Sequence, residues 1–250
     1  MAKIQPPNLR ESEVWKSIFR PGSIYRKGYK DTSRDRALAT MNNVLWHLHP
    51  TKVKRHGLKL TYTFCLGGLS FFLFVLLTVT GIFLMFFYRP MADIGGAQAY
   101  TDMQTIRTAV FFGDLVRNMH RWGAHLMVLS VTLHMARVFY TGAYKPPREF
   151  NWVVGVVLLF LTLGLSFTGY LLPWDQLAMW AVTVGTSLAG YSPFIAKQAN
   201  FLLLGGAIVS PNTLLRWYVL HVLALPFVLV LFLAVHFWRI RKDGGISGPL

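Results

Sequence analysis

Four apolar segments, each near the ~20 residues needed to cross a bilayer, constrain this chain more than any other feature. They cover residues 60–88, 115–140, 152–172 and 214–238, and are called segments A, B, C and D. Tyrosine and tryptophan side chains lie near their ends, as is usual where a helix meets the membrane–water interface. The sequence therefore predicts an all-α, polytopic membrane protein with four transmembrane helices.

The charge content supports this class. Only 14% of the residues are charged, whereas an average soluble domain has about 25%. A chain with so little polar surface must expose apolar side chains to lipid. The single cysteine cannot form an internal disulfide.

The basic residues are unevenly distributed along the chain. Residues 1–59 hold 13 of the 25 Lys and Arg residues. With four spans, the N-terminal arm, the loop between segments B and C, and the tail share one side of the membrane. That side carries 19 basic residues and the other carries 6. The positive-inside rule then places both termini on the cytoplasmic side, and a bacterial cytoplasmic membrane is favoured over a thylakoid. The net charge of +15 is explained by topology and lipid head groups, so nucleic-acid binding is not expected.

The chain is predicted to have two parts. Residues 1–44 form a basic N-terminal extension that includes the start of an amphipathic surface helix at 37–49. In that helix the apolar residues recur at helical spacing: Leu38, Met41, Leu45 and Leu48. Residues 45–250 form the four-helix domain.

Histidines at membrane depth point to a functional site. Segment B carries His120 and His134, 14 residues apart, and segment D carries His221 and His236, 15 residues apart. These intervals correspond to ~21 to 22 Å along a helix, and they keep each pair on one broad helical face. His125 points elsewhere and is predicted to be a hydrogen-bonded core residue.

Segments B and D run in the same direction, so their histidines meet at two levels. His120 is level with His221, the outer pair, and His134 is level with His236, the inner pair. Two imidazoles from facing helices can ligate one haem in a bundle core. An iron with both axial positions filled is suited to one-electron transfer.

Glycines on the other two segments repeat the same interval. Gly67 and Gly81 on segment A are 14 residues apart, as are Gly155 and Gly169 on segment C. Glycine lets a flat ligand approach the backbone closely. Helix–helix packing through small residues is the alternative.

Arginines lie close to the four histidines. Snorkelling to the interface explains each one about as well as a contact with a haem propionate. The candidate propionate partners are Arg117, Arg121, Arg137 and Arg241.

Two other classes of protein share part of this pattern with a di-haem electron carrier. A di-haem membrane anchor of a dehydrogenase or hydrogenase also has four helices, but not this paired spacing. A transporter with a histidine proton relay would need polar residues throughout its core, whereas here they cluster at two levels.

Several short strings carry a specific resemblance to split-type cytochrome b, the cytochrome b6 type. They are FCLGG at 64–68, FYRP at 87–90, RNMHRW at 117–122, PRE at 147–149, TGYLLPWDQ at 168–176 and ISGPL at 246–250. The 15-residue interval in segment D also resembles the split type. Residues 1–44 match nothing in this pattern.

The resemblance implies a cytochrome b subunit of a quinol:cytochrome c, or plastocyanin-like, oxidoreductase that is not active alone. It makes His120 and His221 the ligands of an outer haem b, and His134 and His236 the ligands of an inner haem b. Short helices over about 176–204, between segments C and D, would form part of an outer quinol site. In this family the other half of that site is a Pro-Glu-Trp-Tyr type string, which does not occur here.

The resemblance also implies partners and a third haem. The expected partners are a second membrane subunit, a Rieske-type iron–sulfur protein and a c-type cytochrome or plastocyanin-like acceptor, in a dimeric complex. Cys65 lies in a context that carries a haem c-type group through one thioether in this family. The chain has no Cys-x-x-Cys-His motif, and packing of a small buried side chain is the alternative role for Cys65.

Overall fold

A computed structural model describes residues 9–19, 32–33, 59–92, 98–191, 196–206, 208–243 and 245. Within these ranges the regular structure is helical and contains no strand, as predicted. A short 3₁₀ turn, Leu9–Glu11, precedes the first helix. The α-helices, numbered in chain order, are α1 Glu13–Phe19, α2 Leu60–Thr63, α3 Leu66–Met85, α4 Gln98–Thr108, α5 Gly113–Tyr140, α6 Glu149–Leu171, α7 Gln176–Ala189, α8 Ala196–Leu204, α9 Pro211–Val219 and α10 Leu225–Lys242.

The chain divides into two compact units. Unit 1 comprises residues 1–66, 132–158 and 232–250, and unit 2 comprises residues 67–131 and 159–231. The inner histidine pair falls in unit 1 and the outer pair in unit 2. The predicted surface helix at 37–49 and the ISGPL string at 246–250 lie outside the described residues.

Three helical stretches of the described chain are long and apolar enough to cross a membrane: Leu66–Met85, Glu149–Leu171 and Pro211–Lys242. They correspond to segments A, C and D. Segment B corresponds to α5, which has 28 residues but carries several charged side chains and three histidines. Leu126, Leu129 and Leu133 in its middle are about half exposed, on a row that suits lipid contact.

The hydropathy pattern predicts segment A as one continuous apolar stretch. In the structure it is divided into two helices, α2 and α3. Phe64 and Cys65, between α2 and α3, have φ angles of 49° and 53°. The left-handed region is unfavourable for residues with a side chain, so this backbone turn breaks the helix. Apolar composition gives no signal for such a break, since every residue around it suits a membrane helix.

Segment D contains a wide turn at the outer histidine. Leu220–Ala224 forms a π-helical turn between α9 and α10, in which the Leu225 N–H donates to the Leu220 carbonyl. Pro226 follows directly, and proline cannot donate the next helical hydrogen bond. A π turn holds one residue more than an α turn. The π turn therefore accounts for the one extra residue in segment D, where the two histidines are 15 residues apart instead of the 14 in segment B.

The apolar core of unit 2 packs together the helices and loops that surround the outer pair. Ile106, Leu171, Val182 and Leu214 are fully buried in one apolar cluster. The Asp175 side chain accepts a hydrogen bond from the Ala178 N–H at 2.9 Å and so caps α7. Helices α7 and α8 confirm that short helices lie between segments C and D.

A buried carboxylate stabilises the connection between segments A and B through hydrogen bonds. Asp102 on α4 accepts hydrogen bonds from the Arg89 backbone N–H at 2.9 Å, and from Arg89 Nε at 3.0 Å and a terminal guanidinium nitrogen at 2.7 Å. Gln98 donates a further bond at 2.8 Å. The hydrogen bonds from Arg89 hold the pKa of Asp102 below its ordinary value of 3.8.

Candidate functional site: two histidine pairs

The outer pair is assembled within unit 2. The imidazole centroids of His120 and His221 lie 6.2 Å apart, and their planes are at 75° to each other. His120 comes from α5 and His221 from the π turn of segment D. The two side chains that the sequence predicted to be level are therefore neighbours.

Two threonines orient the outer imidazoles. Thr80 Oγ1 lies 2.9 Å from His120 Nδ1, and Thr168 Oγ1 lies 3.0 Å from His221 Nδ1. Each hydroxyl also donates to a carbonyl of its own helix, Leu76 at 2.8 Å and Leu165 at 3.1 Å. A hydroxyl that donates its one proton to the helix carbonyl accepts from an imidazole Nδ1–H. This tautomer leaves Nε2 as the free, metal-binding nitrogen on both rings.

Glycines lie directly against the outer imidazoles. A Cβ added at Gly81 would be 3.3 Å from His120 Cε1, and a Cβ added at Gly169 would be 2.7 Å from His221 Cε1. The second distance is shorter than real Cβ atoms tolerate, so only glycine fits there without a shift of the ring. Gly81 and Gly169 therefore lie beside the imidazoles of the outer pair, and their contact with a haem stays a prediction.

The inner pair is assembled within unit 1. The centroids of His134 and His236 lie 6.5 Å apart, and their planes are at 81°. His134 Nδ1 is buried without a hydrogen-bond partner among the described residues. His236 Nδ1 is likewise buried without a hydrogen-bond partner in the described part of the chain. Among the described residues, no threonine hydroxyl contacts the Nδ1 atoms of the inner pair as Thr80 and Thr168 do at the outer pair.

The inner pair has one of its two predicted glycines nearby. A Cβ at Gly155 would be 3.9 Å from His236 Cε1 and 3.5 Å from Met135 Sδ, which are ordinary contacts. Gly67 belongs to unit 2, so its role at the inner haem stays a prediction.

The candidate arginines differ in their surroundings. Arg117 and Arg137 each have a buried Nε with no hydrogen-bond partner among the described residues. Each lies three residues from a histidine on α5, and so on the same helical face. Arg137 also lies 5.6 Å from the Tyr62 ring centroid. Arg121 is exposed, and Arg241 is half-buried, so both stay predictions.

The prediction for His125 is wrong. Its side chain is exposed and packs edge-to-face on Trp122, with centroids 5.5 Å apart. Cys65 is also exposed, which does not support its alternative role as a small buried side chain. Its backbone N–H is 3.2 Å from Thr63 Oγ1, at the break between α2 and α3.

The spacing of both pairs fits bis-histidine ligation of one metal ion. Two imidazoles that bind one metal ion from opposite sides have their centroids ~6.2 Å apart, because each metal–nitrogen bond is ~2 Å and each ring adds about 1.1 Å. The observed separations are 6.2 and 6.5 Å. No group of three or more His, Cys, Asp or Glu side chains suited to a bare metal ion occurs in the described chain. Two imidazole nitrogens at each site fit haem iron, whose porphyrin supplies the remaining ligands.

Comparison with known proteins decides the family. The family model described as cytochrome b/b6/petB matches residues 52–244. The chain belongs to the cytochrome b/b6 family. It is an integral membrane protein that carries haem b, and it works as a subunit of a multi-subunit quinol:cytochrome c-type oxidoreductase.

Individual relatives agree with this assignment. The chain is 48% identical to cytochrome b6 of Heliomicrobium gestii over 187 residues, 75% of this chain and 85% of the relative. It is 47% identical to the menaquinol:cytochrome c reductase cytochrome b subunit of Bacillus subtilis (strain 168) over 190 residues, 76% and 83% of the two chains. A solved structure titled hyperthermophilic respiratory Complex III aligns with a TM-score of 0.68 at 28% identity. The alignment covers 88% of this chain and 55% of that one.

Thr80 and Thr168 belong to the outer site, although the histidine and glycine intervals do not single them out. A signal was present, since each threonine directly precedes one of the predicted haem glycines, in Thr80-Gly81 and Thr168-Gly169. The inner glycines lack this neighbour, as Gly67 follows a leucine and Gly155 a valine. A repeated Thr-Gly pair on segments A and C marks the outer level.

Proposed function

We propose that the outer pair, His120 and His221, and the inner pair, His134 and His236, each hold one haem b. The observation that carries this proposal is the centroid separation of 6.2 and 6.5 Å with near-perpendicular ring planes. When bound, the two haems supply one-electron transfer between the two sides of the membrane. The chain's own contribution is to position them and to set their potentials.

Side chains around the outer pair have distinct roles in this proposal. Thr80 and Thr168 fix the imidazole tautomer and increase the basicity of the ligating nitrogens. Gly81 and Gly169 leave room for the porphyrin edge. Arg117, with a buried and unpartnered Nε, pairs with a propionate on this side. Arg137 has the equivalent role beside His134.

The proposed reaction is quinol oxidation at the outer face with release of two protons and two electrons. One electron leaves to a Rieske-type iron–sulfur protein and then to a c-type or plastocyanin-like acceptor. The other crosses the membrane through this chain and reduces quinone at the inner face, where protons are taken up. The excess of 19 basic residues over 6 supports placing both termini on the cytoplasmic side of a bacterial cytoplasmic membrane.

Single ligand replacements test the haem assignment. In the assembled complex, His221→Leu should remove the outer haem b and His134→Leu the inner one, because each haem loses an axial bond. Reduced-minus-oxidised spectra and a pyridine haemochrome assay count the haems. His125→Leu on the same helix as His134 is the matched control and should keep both, because His125 is exposed. Two haems b with normal spectra in either ligand variant would refute the assignment.

We further propose that Cys65 binds a third haem through one thioether. Its support is the exposed thiol at a backbone break and the FCLGG context. Denaturing electrophoresis with a haem peroxidase stain should label the wild-type chain and not Cys65→Ala. Both haems b should remain in that variant, since their ligands lie elsewhere. A wild-type chain whose intact mass contains no added haem would leave Cys65 without this role.

The quinol site requires partners in this proposal, because the chain lacks the string that completes it in the family. The complex should contain a second membrane subunit with that string, an iron–sulfur protein and two copies of each subunit. Affinity purification through this chain, followed by mass spectrometry, identifies the partners. Quinol oxidation at full rate by the isolated chain would contradict this part of the proposal.

A further inference from the structure

Helix α1 lies outside the residues matched by the family model, yet it is docked within unit 1. Ser17 is only 4% exposed. Its hydroxyl donates to the Pro147 carbonyl at 3.1 Å and accepts from the Phe150 N–H at 3.3 Å. Phe150 is the second residue of α6, where a backbone N–H has no partner within the helix. Ser17 thus caps α6 from a distant part of the chain.

The same serine contacts a buried ion pair at the C-terminal end of α10. Arg239 and Asp243 both have fully buried side chains, with nitrogen–oxygen distances of 3.0 and 3.1 Å. An Arg239 terminal nitrogen also donates to the Ser17 carbonyl at 2.9 Å. The Arg239 guanidinium carbon lies 5.3 Å from the Phe150 ring centroid. Three elements, α1, α6 and α10, therefore meet at one buried cation.

This ion pair lies close to the inner pair along the helix. Arg239 follows His236 by three residues, which is ~4.5 Å of helix rise. Arginine remains protonated even when buried. A buried charge at this range acts strongly on a neighbouring redox centre, because the protein interior screens it far less than water does. Asp243 supplies the compensating negative charge.

We propose that α1 and the Arg239–Asp243 pair form an element that sets the potential of the inner haem. Asp243 cancels the charge of Arg239, and Ser17 holds α1 over the pair so that water does not screen it. Arg239 and Asp243 act through their charges, and Ser17 acts through its position. The inference rests on the proposed haem ligation by His134 and His236.

Removal of one or both charges of the Arg239–Asp243 pair provides the test. In the complete complex, Asp243→Asn should shift the inner haem midpoint potential upward, because the negative charge that opposes the added electron is removed while the positive charge of Arg239 remains. Arg239→Met/Asp243→Asn removes both charges and should return the potential towards the wild-type value. A role limited to packing would make the double variant at least as abnormal as the single one. The outer haem is the internal reference in each redox titration.

A second variant adds a negative charge at the contact between α1 and Arg239. Ser17→Asp keeps an acceptor for the Phe150 N–H and adds a carboxylate beside Arg239, so it should lower the inner midpoint potential. Ser17→Asn has nearly the same shape without the charge and should not shift it. Glu13→Gln, at an exposed carboxylate on the same helix, should also leave it unchanged.

The outcomes separate this inference from the haem assignment. Two haems b with identical inner midpoints in wild type, Asp243→Asn and Ser17→Asp would overturn the inference and leave the ligand assignment standing. A wild-type complex without an inner haem b would overturn the proposed function itself. Opposite shifts in Asp243→Asn and Ser17→Asp, with a constant outer midpoint, are the expected result.

Discussion

Replacement of Gly169 by alanine should selectively weaken the outer haem site. The added Cβ would lie 2.7 Å from His221 Cε1 and 3.3 Å from both ring nitrogens. An ordinary contact begins at 3.4 Å, so the imidazole must move by about 0.7 Å. His221 is held through Nδ1 by Thr168, the residue next to Gly169, so the ring cannot move without losing that bond.

The magnitude follows from the cost of overpacking. Inserting one methyl group into a filled site costs ~1–3 kcal/mol, which is a factor of ~5 to 140 in an equilibrium constant. We expect the outer haem to be bound more weakly by that factor. The inner haem should be unaffected, because its ligands are His134 and His236.

The assay is haem occupancy by pyridine haemochrome, with redox titration to distinguish the two haems b. Gly164→Ala on the same helix is the matched control, since its Cβ would meet Leu225 Cδ1 at an ordinary 3.7 Å. Full outer haem content with an unchanged midpoint in Gly169→Ala would refute the argument.

Three further predictions concern side chains in unit 2. Thr168→Val keeps the shape of threonine but removes the acceptor for His221 Nδ1–H, so redox titration should show a higher outer midpoint and an unchanged inner one. Asp102→Asn should lower the stability of the loop between α3 and α5 by ~1–3 kcal/mol, measurable as faster proteolysis there. Because the pKa of Asp102 is lowered, its contribution is complete above the ordinary value of 3.8 and is lost only as the pH falls below it. Asp175→Ala removes the cap of α7 and should cost ~1 kcal/mol, seen as a lower melting temperature of the complex.

The spans and the histidine pairing could be predicted from the sequence because both depend on periodicity. Apolar length located segments A to D to within a few residues of α3, α5, α6 and the α9–α10 helix. The intervals of 14 and 15 residues predict that His120 is level with His221 and that His134 is level with His236. In the structure the two members of each pair are neighbours. These are local, repeated signals that tertiary packing did not override.

Other features depend on backbone geometry that periodicity does not encode. The break at Phe64 and Cys65 needs two left-handed residues that are not glycine, which no composition rule predicts. The π turn explains why an interval of 15 residues serves where 14 would be expected. Only Pro226 marked its position in the sequence.

The remaining features depend on contacts between distant parts of the chain. Arg239 and Asp243 have spacing that suits many exposed helical pairs, so their burial could not be inferred from sequence. Ser17 reaches them across more than 200 residues. The offset of five residues from His120 predicts that His125 points away from the haem ligands, but not that its side chain is exposed beside Trp122.

Electron paramagnetic resonance of the oxidised complex tests the central claim most directly, because it reports both the ligands and their orientation. Two imidazoles on one ferric haem give a low-spin signal, and near-perpendicular ring planes make that signal highly anisotropic. With interplanar angles of 75° and 81°, we predict two highly anisotropic low-spin signals, one lost in His221→Leu and the other in His134→Leu. Two stoichiometric high-spin haems b, or low-spin signals typical of parallel imidazole planes, would contradict the assignment of the outer and inner pairs.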